Sequence, residues 1–163
     1  MTSDDIAESV KELSAVLIKK GMTLSLAESC TGGMISSLLT DIPGASEFFM
    51  GSAVTYSNDS KNRILNVSRA TLEKFGAVSA ETAKEMALSA KMTFGTDIAA
   101  SATGIAGPGG GTAAKPVGTV FIAVTDGVTT ECKALALRGS RSDIRKATAA
   151  NVIRSLTDLV TGE

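Results

Sequence analysis

The chain has 163 residues, 44% apolar and only 4% aromatic, with 16 Lys and Arg against 17 Asp and Glu. That near balance argues against a nucleic-acid partner, which needs a basic face, and no apolar run approaches the roughly 20 residues that span a bilayer. Histidine is absent, which excludes every Ser-His or Cys-His mechanism and every His-ligated metal. A hydrolase built on this chain takes its base from Lys, Tyr, Asp or Glu. Cys30 and Cys132 are too few for a disulfide framework. No charged-then-apolar leader opens the chain. A single cytoplasmic domain over 1–163, with an aliphatic core, is the expectation.

Residues 4 to 20 predict a helix with Ile6, Val10, Leu13 and Leu17 on one face, Ser3 as its cap and Gly21 as its stop. A strand follows at 23 to 28, then a helix from about 32 to 40 carrying Met34, Ile35, Leu38 and Leu39. Asp41 to Gly44 breaks it. Phe48 to Tyr56 predicts a strand, and short helices are expected near 60 to 66 and 69 to 75. Ser79 caps a longer helix to about 94, with Ala83, Met86, Ala87, Ala90 and Phe94 inward. Asp97 to Thr103 is small and apolar, as in a strand buried on both faces. The glycine density of 104 to 116 predicts a loop. Val117 to Thr125 and Thr129 to Leu137 predict a hairpin turning at Asp126-Gly127. Ser140 caps a final helix with Ile144, Thr148, Val152, Leu156 and Val160 in line. The sum is a three-layer α/β/α sandwich with a mixed, mostly parallel sheet and a C-terminal β-hairpin. Ligands of such sheets sit beyond the carboxyl ends of the strands. Ser29 to Gly33, Tyr56 to Lys61 and Gly104 to Gly111 share that position.

Ser29, Cys30 and Thr31 stand where the first strand gives way to a helix. The free N–H groups of that helix carry partial positive charge, so a small nucleophile there suits acyl transfer; a plain Ser or Thr cap is the bland reading. The glycine loop fits neither familiar phosphate motif. Lys115 lies between Ala114 and Pro116, unlike the Gly-Lys-Ser/Thr of a P-loop, and Thr112 stands where a dinucleotide fingerprint needs glycine. The loop remains a candidate anion cradle or a flexible connection. A Ser-x-x-Lys dyad also fails locally, because Asn58 lies three residues before Lys61.

Several motifs in one order resemble a known family. They are Glu28-Ser-Cys-Thr-Gly-Gly33, Val54-Thr-Tyr-Ser-Asn58 with Lys61, and Gly76-Ala-Val-Ser79. Thr103-Gly104-Ile105-Ala106-Gly107-Pro108-Gly109-Gly110, Lys115-Pro-Val-Gly-Thr119, and Gly139 to Arg141 with Arg145 complete them. Together they resemble the CinA C-terminal domain, the nicotinamide-nucleotide amidase family, over about residues 6 to 160. Many members carry a molybdopterin-binding-like domain in front, so this chain resembles the stand-alone form. The resemblance implies hydrolysis of nicotinamide mononucleotide to nicotinate mononucleotide and ammonia, without cofactor or metal, by a homodimer. It implies a catalytic serine and lysine with a nearby tyrosine, which map onto Ser29, Lys61 and Tyr56. Ser140 departs from the Asp frequent at that place. A competing reading is a non-catalytic nucleotide-binding or competence-related interaction domain.

The chemistry stands beside the resemblance. A free lysine titrates at about 10.4, and lowering it to about 7 to 8 costs roughly 3 to 5 kcal/mol; burial does this. Ser29 would then attack the carboxamide carbon with Lys61 as base, Tyr56 relaying protons or holding Lys61. N–H groups of Thr31, Gly32 and Gly33, or of Gly104, Ile105, Ala106 and Gly107, are candidates for the oxyanion. The glycine loop, Arg141 and Arg145 are candidates for the phosphate. Cys30 is a rival nucleophile, whose pKa a helix N-terminus would lower.

Overall fold

A computed structural model describes residues 3–162 of the chain. The elements are α1 (Ser3–Lys20), β1 (Leu24–Glu28), α2 (Met34–Thr40), β2 (Phe49–Val54), α3 (Asn58–Leu65), α4 (Arg69–Phe75), α5 (Ala80–Phe94), β3 (Ile98–Gly104), β4 (Thr119–Thr125), β5 (Thr130–Ala136) and α6 (Arg141–Thr161). They form an α/β sandwich around one five-stranded sheet in the order β2-β1-β3-β4-β5. β1 pairs parallel with β2 and β3, while β4 and β5 run antiparallel as the expected hairpin. The expected Ser3 cap lies outside the described side chains.

Alternation along the strands builds the two core layers. Leu24, Leu26, Ile98, Ala100, Ala102, Val120, Ile122 and Val124 face the helices α1, α2 and α6, where they meet Val10, Leu13, Leu17, Ile35, Val152, Ile153 and Leu156. The opposite face is made of small residues. Ala27, Ala53 and Ala99 meet Met86 and Ala90 of α5, and Ala123 meets Ala83 and Ala87. Small side chains on both partners let α5 approach the sheet closely enough for Ser101 Oγ to donate to the Ala83 carbonyl at 2.6 Å. All five residues of β1 are buried, which places its carboxyl end inside the molecule.

Several boundaries differ from the sequence reading by one or two residues, among them β2, which ends at Val54 rather than Tyr56, and α3, which begins at Asn58 rather than near 60; two others have a visible cause. α2 begins at Met34 rather than near 32, because Gly32 and Gly33 take φ of +58° and +95°, outside the helical region. β4 begins at Thr119 rather than Val117. Gly118 there has φ +91°, and a Cβ on it would stand 1.9 Å from the Leu137 carbonyl oxygen. None of the described helices is long and apolar enough to cross a membrane.

Candidate active site

β1, β2 and β3 run parallel, so their carboxyl ends lie on one side of the sheet, Glu28 level with Val54 and Ala102 and β3 running two residues further to Gly104. A cavity of about 190 Å³ opens beyond these ends, bounded by Ser29, Cys30 and Lys61 on one side and by Thr103, Gly104 and Ala106 on the other. Tyr56 and Arg141 stand on its border, as do Ala77 and Val78. Ala77 and Val78 belong to the Gly76–Ser79 turn, a motif noted in the sequence without a role.

Ser29 occupies a tight turn. Its N–H donates to the Ala102 carbonyl at 2.9 Å, and its own carbonyl accepts from Gly32 N–H at 3.1 Å. The helix cap lies elsewhere: neither Ser29 nor Thr31 caps α2. Glu28, wholly buried, reaches forward over the turn and accepts from Gly33 N–H at 3.0 Å, Ile35 N–H at 3.2 Å, Ser36 N–H at 2.9 Å and Ser36 Oγ at 2.6 Å. Gly32 and Gly33 are therefore engaged and are not free oxyanion donors, contrary to the sequence reading. Within the turn, only the N–H groups of Cys30 and Thr31 bond no other group of the described protein.

Lys61 enters from α3, whose N-terminus is capped by Ser57. Its side chain is 1% exposed. Nζ stands 3.0 Å from Ser29 Oγ, 2.8 Å from the Thr55 carbonyl and 3.2 Å from the Tyr56 carbonyl. Among the described residues no carboxylate forms an ion pair with it. Burial lowers its pKa from 10.5 to about 8, and the Cys30 charge opposes that change. An ammonium here donates all three protons. The neutral amine keeps two N–H bonds to the carbonyls, which aims its lone pair at the Ser29 hydroxyl. The same three contacts thus serve both protonation states.

Cys30 is pushed the other way. Burial raises its thiol from 9.0 to about 11, outweighing its own backbone N–H, Lys61 and Arg145, while Glu28 adds to the rise. The helix N-terminus, expected to lower this pKa, is covered by the Glu28 carboxylate instead.

The remaining candidates divide between the cavity and its surroundings. Tyr56 holds Lys61 through its backbone carbonyl; its side chain is 62% exposed, and its hydroxyl accepts from Arg141 Nη2 at 3.0 Å. Arg141 also donates through Nη1 to the Gly107 carbonyl at 2.7 Å. It opens α6, where Ser140 and Asp143 form a reciprocal capping box, so serine at 140 serves the helix start. Arg145 is not among the residues that line the cavity and donates to the Thr31 carbonyl at 2.7 Å. Thr103 Oγ1 donates to the Ala77 carbonyl at 2.8 Å. Ile105 is engaged through both N–H and carbonyl with Thr119 and Gly118. The glycine loop is tethered rather than a free connection, because Lys115 Nζ donates to the Phe75 and Val78 carbonyls at 2.9 and 2.6 Å. No cluster of His, Cys, Asp or Glu among the described residues is arranged to hold a metal.

Comparison with known proteins agrees with this architecture. The CinA C-terminal domain family matches residues 6–160. A CinA-like protein of Geobacter metallireducens is 53% identical over 133 residues, which is 82% of this chain and 32% of that protein. A CinA-like protein of Dictyoglomus thermophilum is 51% identical over 138 residues, 85% of this chain and 34% of that protein. The chain spans about a third of the length of these curated relatives. Among solved structures, the competence/damage inducible protein CihA of Agrobacterium tumefaciens superposes with a TM-score of 0.95 at 38% identity, covering 98% of both chains. A CinA superfamily protein of Escherichia coli gives 0.92 at 31% identity, covering 98% of this chain and 93% of its own. The chain belongs to the CinA C-terminal domain family.

Proposed function

We propose, from that membership and from the pairing of Ser29 with Lys61, that the protein is an amidohydrolase that converts nicotinamide mononucleotide into nicotinate mononucleotide and ammonia. The observation that carries the reading is the buried amine 3.0 Å from a serine hydroxyl, held by two backbone carbonyls and ion-paired with no carboxylate among the described residues. Holding a lysine this way costs about 3 kcal/mol at about 1.36 kcal/mol per pH unit between 10.5 and about 8. A module that only binds nucleotides gains nothing from that arrangement.

Neutral Lys61 takes the Ser29 proton as Oγ attacks the carboxamide carbon, and the carbonyl oxygen becomes an oxyanion facing the Cys30 and Thr31 N–H groups. Lys61 then gives its proton to the departing nitrogen, the C–N bond breaks, and ammonia leaves an ester on Ser29. Water, deprotonated by the same amine, cleaves that ester; the carboxylate product leaves and Ser29 regains its proton. The pyridinium ring of the substrate adds a positive charge beside Lys61 and favours the neutral amine further.

The cavity, at about 190 Å³, is below the roughly 300 to 1,000 Å³ of sites that enclose a drug-sized ligand. It suits the reacting ring, with ribose and phosphate lying across the mouth. Arg141 fits the phosphate there, since its guanidinium is fixed on one side by Gly107 and Tyr56. On the resemblance the protein is also proposed to be a homodimer; a scattering mass near 16.6 kDa would overturn that part. The activity itself is tested by ammonia release from nicotinamide mononucleotide, with Ser29→Ala as control. No ammonia above the control would leave the binding-module reading standing.

A further inference from the structure

The turn that presents Ser29 is closed from within by two backbone bonds, Gly32 N–H to the Ser29 carbonyl and Met34 N–H to the Thr31 carbonyl, both at 3.1 Å. Gly32 and Gly33 are adjacent, both at positive φ, and neither has a side chain to pack. Two side chains then fix where the turn sits, from two sides. On one side the Glu28 carboxylate gathers Gly33, Ile35 and Ser36, which ties the exit of the turn to the strand that enters it. On the other, Arg145 Nη2 donates to the Thr31 carbonyl at 2.7 Å and lies 3.6 Å from where a Cβ on Gly32 would stand. Arg145 sits on α6 one residue beyond Ile144 and three before Thr148, both buried against the sheet. The tie therefore runs from the nucleophile turn to a helix anchored in the core.

We propose that Glu28 and Arg145 are positioning residues that hold Ser29 Oγ in register with Lys61 Nζ, and that Arg145 does not bind the substrate's phosphate. The proposal rests on the reading of Ser29 as nucleophile. The Ser29–Lys61 distance of 3.0 Å is set between two separate elements, the turn after β1 and the helix α3. Displacing a reacting group by about 1 Å costs on the order of a hundredfold in rate. Arg145 does not border the cavity, whereas Arg141 does. Only Arg141 is placed to meet a ligand in the mouth.

The test compares Arg145→Met, Arg145→Lys and Glu28→Gln with the unsubstituted chain. Two readouts are taken. One is the steady-state rate on nicotinamide mononucleotide and on its dephosphorylated nucleoside. The other is the rate at which phenylmethylsulfonyl fluoride sulfonylates Ser29, read by mass spectrometry; there the Oγ–S bond forms, fluoride leaves, and Lys61 takes the proton. A positioning role predicts that Arg145→Met lowers kcat on both substrates by the same factor, about ten- to a hundredfold. KM stays unchanged, and sulfonylation slows in step. Arg145→Lys regains part of the loss, because an ammonium also donates to the Thr31 carbonyl. Glu28→Gln, which offers an amide N–H₂ to backbone donors, is expected to show the same paired loss. A rise in KM for the nucleotide alone, with kcat and sulfonylation unmoved, overturns the assignment of Arg145. Unchanged sulfonylation in folded Glu28→Gln overturns that of Glu28. If the unsubstituted chain releases no ammonia yet Ser29 is still sulfonylated, and slower in Arg145→Met, the amidase reading fails while the positioning role stands.

Discussion

Lys61→Met removes the base and the buried amine at once, and its effect on stability follows from the structure with a definite sign. The folded chain holds Lys61 at about 8, against 10.5 for a lysine in water. Below pH 8 both folded and unfolded chains carry the proton, and the folded one bears the full cost of a buried ammonium, about 3 kcal/mol at about 1.36 kcal/mol per pH unit. Between about 8 and 10.5 the unfolded chain still binds a proton that the folded chain has released, so stability rises with pH. From pH 7 to pH 10 the gain attributable to Lys61 is about 2 to 3 kcal/mol. That corresponds to roughly 5 to 10 °C in midpoint for a domain of this size. Lys61→Met lacks the term, while other titrating groups remain in both chains. The difference between the two melting curves, taken at pH 7, 8, 9 and 10, isolates it. The unsubstituted chain should gain on the variant steadily above pH 8. Activity should climb through the same region, with an acid limb near 8. Parallel pH dependences in the two chains would refute the claim that Lys61 is a desolvated, partly neutral amine.

Ser29→Ala should lower turnover by about 10⁴-fold, as loss of a catalytic serine does, and adding Lys61→Met should cost little more, because the two act as a unit. Cys30→Ser should lose far less, since its thiol is held protonated with a pKa near 11; the opposite order, measured as ammonia release, would assign the thiol as nucleophile. Tyr56→Phe keeps the carbonyl that holds Lys61 and loses the hydroxyl on Arg141. It should therefore raise KM for the nucleotide more than it lowers kcat, whereas a proton relay through the phenol would cost about 10² to 10⁴ in kcat. Treatment with EDTA should leave turnover unchanged; loss restored by a divalent ion would contradict the metal-free mechanism.

Much of this site was legible because its parts sit at breaks in periodicity. The switch from alternation at Leu24–Glu28 to helical spacing at Met34–Leu39 located Ser29. The absence of histidine narrowed the base to Lys, Tyr, Asp or Glu, the family resemblance pointed to Lys61 among them, and burial on both faces marked β3. The mixed α/β sheet and its C-terminal hairpin followed from α/β alternation and the Asp126-Gly127 turn, whereas the strand order did not. What pattern does not carry is which way a polar side chain turns. Arg141 and Arg145 lie one helical turn apart and looked equivalent, yet one reaches Gly107 and Tyr56 and the other Thr31. Tyr56 stood next to the lysine loop and proved to act there through its backbone, its ring lying outward. Such distinctions depend on three-dimensional neighbours 34 to 114 residues away along the chain.

Glu28 shows the same limit with a chemical consequence. In sequence it is the last residue of a strand, and its pattern position assigns it to the core rather than to a helix six residues on. In the fold its carboxylate meets four donors and neutralises the positive end of α2. Without it, that end would lie beside Cys30 and stabilise a thiolate, as helix termini do at reactive cysteines. With it, the electrostatic contribution of Glu28 to Cys30 is to raise the thiol further, above a value already lifted by burial. At a pH where Lys61, lowered to about 8, becomes neutral, a thiol near 11 still holds its proton, so Cys30 offers no ready thiolate. Two adjacent nucleophilic side chains thus meet different surroundings: burial chiefly, with Glu28 adding to it, keeps the Cys30 thiol protonated, while Ser29 Oγ stands 3.0 Å from Lys61 Nζ.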